Sequence, residues 1–169
     1  AKDFKPFNVQ QIGGQLFVTY ARDKDGDLVP DGHSGFVNVF STSGQLVQRL
    51  ASRGHLDQPW GVAVAPATFG PASGAVLVAN HGNGRISAFD RTTGDFLGEL
   101  RGEDGTKISI DGLYGIAFAN GTSGATNALY FTAGPDDGAN GLFGALRVAP
   151  SGPAAAAVAG LSGGEDTFV

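Results

Sequence analysis

The sequence contains no cysteine and no methionine in its 169 residues. The absence of cysteine excludes disulfide bonds, cysteine-ligated zinc and a thiol nucleophile. No apolar run approaches the roughly twenty residues that a membrane-spanning helix needs, so we expect no membrane span. The first residues, Ala1, Lys2 and Asp3, do not begin a signal peptide.

Charge is also scarce, because only 16% of the residues are charged, and their net charge is −5. Nothing in such a chain would neutralise a phosphate backbone, so we expect no nucleic-acid partner. The hydrophobic fraction of 41% excludes an intrinsically disordered chain. The length is sufficient for one domain with a sizeable core.

Short apolar runs separated by turn residues are abundant, and residues 59–100 contain four of them. Runs of this length, rich in Val, Ile and Phe and bounded by Gly, Pro, Asn and Asp, predict β-strands rather than helices. Residues 90–95 form a predicted hairpin turn in which Gly94 can adopt the positive φ that closes it. Together they predict a four-stranded antiparallel meander, the unit of a β-propeller blade. The four predicted strands are 60–65, 75–80, 85–90 and 96–100.

The same pattern occurs three times along the chain. It predicts an all-β fold, a β-propeller with three four-stranded antiparallel blades that form half of a six-bladed ring. The predicted blades cover about residues 4–54, 55–106 and 107–160, and residues 161–169 are expected to be a flexible tail. The predicted strands of the first blade are 7–12, 16–20, 35–40 and 45–50, and those of the third are 113–118, 128–132, 142–148 and 154–159.

The segments 59–64, 76–80, 84–86 and 89–90 resemble an NHL-type repeat. More specifically, residues 6–10, 14–21, 111–115 and 131–135 resemble an uncharacterised bacterial family of exported six-bladed propellers. The resemblance runs from about Phe4 to Val148 and places this chain at the C-terminal half of that family's longer members. It implies an exported bacterial protein, in the periplasm, at the cell surface or outside the cell, and it implies no particular activity.

Three blades alone would leave the outer face of the first blade and that of the last blade open to water. At about 25 cal/mol per Å² of apolar surface, such exposure would cost on the order of ten kcal/mol, which is comparable to the stability of a whole domain. We therefore expect further blades, supplied by a missing N-terminal half, by a companion chain or by a homodimer.

Propeller connectivity would gather one set of loops on a single face, and that face carries most of the acidic residues together with His33, His55 and His81. On that face, the acidic stretch of residues 23–31 predicts a calcium site, because carboxylates at alternate positions can surround one hard cation. This stretch is not an EF-hand loop, which has glycine at its sixth position and glutamate at its twelfth. Counted from Asp23, the glycine, Gly26, is fourth and the twelfth residue is Ser34. A solvated acidic loop is the alternative. The predicted metal ligands are Asp23, Asp25, Asp27 and Asp31, and Asp136, Asp137 and Asn140 form a second candidate group.

A second group of candidate site residues is expected nearer the axis of the propeller ring. Six-bladed lactonase-like propellers hold calcium at the channel mouth with Asn, Asp and Glu, and the resemblance points to Asn80 and Asp111. His81 is a candidate general base. Trp60 and Tyr114 begin equivalent inner strands, where each would stack on a ligand or pack between blades.

Two functions follow from these residues. The first is a non-catalytic binding or structural scaffold, an accessory subunit stabilised by calcium, with Trp60, Asn80 and Tyr114 as ligand-binding residues. The alternative is a calcium-dependent enzyme of the lactonase or lyase kind, with His81 and Asp111 as catalytic residues on the acidic face.

Overall fold

The computed structural model describes residues 3–24, 27–29, 33–119, 127–148 and 158–159, with residues 27–28 and 158–159 as backbone. These residues form thirteen β-strands and one short 3-10 helix, Gly70–Ala72. The strands belong to three antiparallel sheets that follow one another along the chain. The described residues contain no helix long and apolar enough to cross a membrane.

The first sheet has the strand order β1 (Phe4–Ile12), β2 (Gln15–Lys24), β4 (Phe36–Ser41) and β5 (Leu46–Ser52). A two-residue strand, β3 (Asp27–Leu28), pairs with the end of β2. Leaving β3 aside, each strand pairs with the one before it, as the turn residues between the apolar runs predict.

The second sheet repeats this meander with β6 (Pro59–Val64), β7 (Val76–Asn80), β8 (Ile86–Phe89) and β9 (Phe96–Glu99). Both faces of β7 are buried, because its side chains alternate between two separate cores. Val76 and Val78 pack with Phe17, Val37 and other residues of the first sheet.

The third sheet consists of β10 (Leu113–Phe118), β11 (Ala128–Ala133), β12 (Leu142–Val148) and β13 (Val158–Ala159). Its inward side chains, including Leu129 and Phe131, pack against Leu77 and Ile86 of the second sheet. The second sheet is thus the middle layer, covered on one side by the first sheet and on the other by the third.

The first strands of the three sheets, β1, β6 and β10, lie side by side. Gln10 on β1 joins all three, since its Oε1 accepts the backbone N–H of Val62 at 2.6 Å and its Nε2 donates to the carbonyl of Ile116 at 3.4 Å. Gly61 permits the close approach of β6 and β10, because a Cβ there would lie 2.6 Å from the carbonyl oxygen of Tyr114.

The predicted all-β fold and the antiparallel meanders are confirmed, with strand ends that differ by one to four residues in most cases. Strand β3 and the 3-10 helix were not predicted, and the last strand is shorter than expected, with pairing only at Val158 and Ala159. The described residues form an open row of three sheets and no closed ring, so the structure establishes the sheets but not a propeller. The predicted tail, residues 161–169, lies outside the described residues.

The hairpin turn between β8 and β9 forms as its sequence predicts. Gly94 has a φ of 78°, and Asp90 Oδ1 accepts the backbone N–H groups of Thr92 and Thr93, both at 2.8 Å. These two bonds, that from Thr93 first, hold the pKa of the Asp90 carboxyl below its ordinary value, because they stabilise the charged form.

Gly84→Ala should destabilise the fold strongly, because Gly84 has a φ of 68° and a Cβ there would overlap the carbonyl of Ile110. Gly105→Ala is the matched control, with a φ of 78° and no atom near the added Cβ. We expect the control to lose about 1 kcal/mol of unfolding free energy from backbone strain alone, and Gly84→Ala to lose at least about 2 kcal/mol more. Chemical denaturation measures both values, and equal losses would contradict the packing argument.

Candidate functional site

A polar cavity of about 330 Å³ opens where loops of the second and third sheets meet. Gln58 reaches it from the connection that precedes β6, and His81 from the turn after β7. The third sheet contributes Asp111 and Tyr114 at the start of β10 and Asp137 from the loop after β11. Gly82, Gly112, Gly134 and Gly138 complete the lining.

The aromatic side of the cavity is a chain of rings in contact, of which one pair is stacked and two are T-shaped. The His81 ring stacks on that of Tyr114 with centroids 4.5 Å apart, and Trp60 makes a T-shaped contact with Tyr114 at 5.2 Å. Phe7 packs against Trp60 in turn at 4.2 Å. Trp60 is therefore a packing residue between the inner strands, whereas His81 and Tyr114 reach the cavity.

The orientation of His81 is set by a hydrogen bond from its Nδ1 to the carbonyl oxygen of Leu113, at 3.2 Å. A carbonyl can only accept, so we assign the proton of the neutral ring to Nδ1. The other ring nitrogen, Nε2, then keeps its lone pair as a hydrogen-bond acceptor.

The acidic side of the cavity is held by hydrogen bonds between the segment that precedes β10 and the loop that follows β11, and by one within that loop. Asp111 Oδ2 accepts the backbone N–H of Asp136 at 3.0 Å, and Asp136 Oδ2 accepts from Asn140 Nδ2 at 2.8 Å. Asp136 and Asp137 both have left-handed backbone conformations, with φ of 56° and 54°. In the second candidate calcium group, Asp136 and Asn140 thus bind each other.

Asn80, predicted to bind a ligand, is completely buried beside the cavity. Its Oδ1 accepts the backbone N–H of Asp57 at 3.0 Å, while its Nδ2 donates to the carbonyl of His55 and to Ser87 Oγ. The amide that a ligand would use is therefore already engaged in fixing the connection between the first and second sheets.

Gln58 is the cavity residue that the sequence reasoning missed. It is only 4% exposed, and its backbone is held by bonds from its N–H to Ser34 and from His81 N–H to its carbonyl. Its φ of 48° is unusual for a residue before proline, which normally adopts an extended conformation. Within the described part of the chain its side-chain amide makes no hydrogen bond.

The first predicted calcium loop is described only in part. Asp23 Oδ1 forms a 2.6 Å ion pair with Lys5 Nζ, and the backbone of Asp27 pairs with Lys24. Asp25 and Asp31 lie outside the described residues. No group of three or more His, Cys, Asp or Glu side chains that could hold a metal ion occurs among the residues that the structure describes.

The fold and the cavity define a class, an all-β protein of serial antiparallel sheets, and comparison with known proteins adds viral relatives. The chain is 37% identical over 147 residues to an uncharacterised protein of Acanthamoeba polyphaga mimivirus, covering 85% of this chain and 36% of that protein. A second uncharacterised protein of this virus is 36% identical over 148 residues, covering 85% and 38% of the two chains. The chain thus spans little more than a third of the length of these relatives. No protein-family model matches it.

Among solved structures, the chain is similar to Kuenenia stuttgartiensis hydrazine synthase, with a TM-score of 0.44 and 14% sequence identity. The match covers 95% of this chain and 49% of that one. Nothing about the activity of this protein follows from it.

The viral relatives overturn the expected bacterial family and the expected exported bacterial location. They point to a family of an amoebal giant virus, and no NHL-type repeat family is identified. The physical reason is that the segments carrying the resemblance consist of strand and turn residues. Any four-stranded antiparallel meander needs such residues, so they indicate architecture rather than ancestry.

Calcium binding by the loop that contains Asp23, Asp25, Asp27 and Asp31 stays a prediction that chelation can test. Saturation to about 100 times the dissociation constant should raise the unfolding free energy by roughly 2.7 kcal/mol, because calcium would bind only the folded loop. Asp25→Ala should abolish this gain. A melting temperature that is unaffected by a chelator would contradict the prediction.

Proposed function

We propose that this protein is a non-catalytic scaffold in which the three sheets are consecutive blades of a β-propeller. Its working state is completed by further blades, from a longer polypeptide, a companion chain or a second copy. The observation that carries this proposal is the contrast between the second sheet, which is covered on both faces, and the outer face of the third sheet, which is not.

The outer face of the third sheet presents a concave apolar surface. Antiparallel register places Phe143 opposite Thr132 and Ala145 opposite Tyr130, so these side chains share one face. Phe143 is 52% exposed and stacks on Tyr130 with ring centroids 5.9 Å apart. Tyr130, Thr132 and Phe143, together with Asn8 and Gln10, line a groove of about 310 Å³. Exposed aromatic surface of this kind is typical of an interface.

The outer face of the first sheet is also aromatic. Phe36 is buried beneath Tyr20, whose ring stacks at 4.3 Å, and beneath Phe4 at 5.4 Å. The guanidinium of Arg49 lies 4.0 Å from the centre of the Phe36 ring. Aromatic residues and arginine are enriched where proteins associate, so this face is suited to packing against another sheet.

The lengths of the relatives agree with this proposal. The matched segment occupies 36% and 38% of two of them, so each has enough chain for additional sheets of this size. An interface on each outer face would bury well over roughly 1,000 Å² in all, which is the range of specific protein contacts.

The chain expressed alone should be insoluble or self-associate, because its outer sheet faces have no covering layer. Phe143→Arg should weaken this association by about tenfold or more, since it places a charge in the middle of the open third-sheet face. Leu97→Arg is the matched control, because Leu97 is similarly exposed, at 58%, but lies on β9, the edge strand of the second sheet, and not on the outer face of the third sheet. Sedimentation velocity of the two variants measures the difference.

A soluble monomer of residues 1–169 that melts cooperatively at micromolar concentration would show that three sheets suffice. The proposed completion by further blades would then be wrong. Equal effects of Phe143→Arg and Leu97→Arg would show that association does not use the third-sheet face.

A further inference from the structure

We infer that the partner that covers the open outer faces is a second copy of this chain, bound head to tail. The outer face of the third sheet of one copy packs against the outer face of the first sheet of the other. This pairing rests on the proposed function, which leaves the source of the further sheets open, and adds to it which partner is bound and which faces meet.

The outer face of the third sheet repeats the face with which each earlier sheet contacts the next one. Three equivalent residues lie at this face, Val37 on β4, Ile86 on β8 and Phe143 on β12, and their partners on the neighbouring strand are Thr19, Ala79 and Thr132. Val37 is fully buried in the core between the first and second sheets, and Ile86 in the core between the second and third. Phe143 is 52% exposed, so it occupies a sheet-contact position that the described residues leave uncovered.

The outer face of the first sheet repeats the opposite face, with which each later sheet contacts the one before it. The equivalent residues here are Val9 on β1, Val62 on β6 and Ile116 on β10, and their partners on the neighbouring strand are Val18, Val78 and Phe131. Val62 is 1% exposed and Ile116 is 2% exposed, because each packs against the preceding sheet. Val9 is 58% exposed, so the first sheet also offers an uncovered contact position.

The two outer faces are complementary because the row of sheets has a direction. In both contacts between sheets, a face that carries the Phe143 position meets a face that carries the Val9 position. Among the described residues, two faces of the same kind do not meet. The surface that fits the outer face of the third sheet is therefore one with the Val9 position, and this chain carries such a surface on its own first sheet.

A second copy is the occupant that leaves no outer face open. Two copies related by a two-fold rotation make the head-to-tail contact twice, so six sheets form one closed assembly. A symmetric contact between two third sheets would cover only one outer face of each copy and would leave Val9 in water. Each head-to-tail contact continues the layering that buries Val37 and Ile86 inside the chain, so the same burial of apolar surface stabilises it.

The test places Val9→Arg and Phe143→Arg in separate copies of the full 169-residue chain. In a dimer of either variant both contacts contain an arginine, so we expect self-association to weaken by about tenfold or more. In a 1:1 mixture, one contact joins the unchanged Phe143 of one copy to the unchanged Val9 of the other. The mixture should therefore dimerise about tenfold more tightly than either variant alone, as measured by sedimentation velocity.

Two controls accompany the mixture. Leu97→Arg changes a residue that is as exposed as Val9, at 58%, but lies on the edge strand β9, and it should self-associate within about twofold of the unchanged chain. The double variant Val9→Arg/Phe143→Arg should not restore dimerisation of either single variant, because no unchanged pair of faces then remains.

Cross-linking identifies the faces directly, because the chain has no cysteine of its own. Val9→Cys and Phe143→Cys change half-exposed side chains without adding charge, so they keep the test valid if an arginine variant fails to fold. In a mixture of the two cysteine variants, a short bismaleimide should join residue 9 to residue 143 in a covalent dimer, which mass spectrometry identifies. Either variant alone should give little covalent dimer, because its two cysteines lie in different contacts.

Three results would overturn the head-to-tail pairing and leave completion by further blades in place. They are self-association that Val9→Arg does not weaken, a mixture of arginine variants that gives no soluble 1:1 dimer, and cross-links between two copies of residue 143. Oligomers larger than a dimer would overturn closure after two copies. An unchanged chain that is a soluble, cooperatively melting monomer would overturn both the pairing and the proposed function.

Discussion

The burial of the second sheet on both faces is the constraint on which the structure depends. Its strand β7 sends Val76 and Val78 into one core and Leu77 and Ala79 into the other, so neither face can be left in water. The first and third sheets are the layers that satisfy it. The same requirement applies to the outer layers only in part, because Phe36 is covered within its own sheet while Phe143 stays half exposed.

The layering brings the first strands of the three sheets, β1, β6 and β10, close together, and a small number of residues makes this close packing possible. Gly61 lets the backbones of β6 and β10 approach, and the amide of Gln10 bridges to both strands. Behind them, Asn80 and Ser87 satisfy the carbonyl of His55 in the buried connection between sheets. A buried polar network of this kind favours one arrangement of the layers, since any shift would leave its donors and acceptors unpaired.

The loop face and the open sheet face have different physical characters. The cavity at the loop face is polar and has two carboxylates in its lining, and hydrogen bonds orient the side chains of His81 and Asp111 there. The groove at the outer face is apolar and aromatic, with Phe143 and Tyr130 at its centre. Another sheet suits the latter, because exposed aromatic surface is typical of an interface.

The sequence by itself determined the local structure: the alternating apolar runs and turn residues such as Gly94 specify the strands and hairpins, because these depend on neighbouring residues. It also indicated His81, Asp111 and Tyr114, which the fold brings to one cavity. Only the tertiary structure showed that the side chain of Asn80 is fully engaged in internal hydrogen bonds and that Gln58, the residue before a proline, is buried in the lining of the cavity. The reason is that burial and hydrogen-bond satisfaction are set by contacts between residues far apart in the chain, which local patterns do not encode.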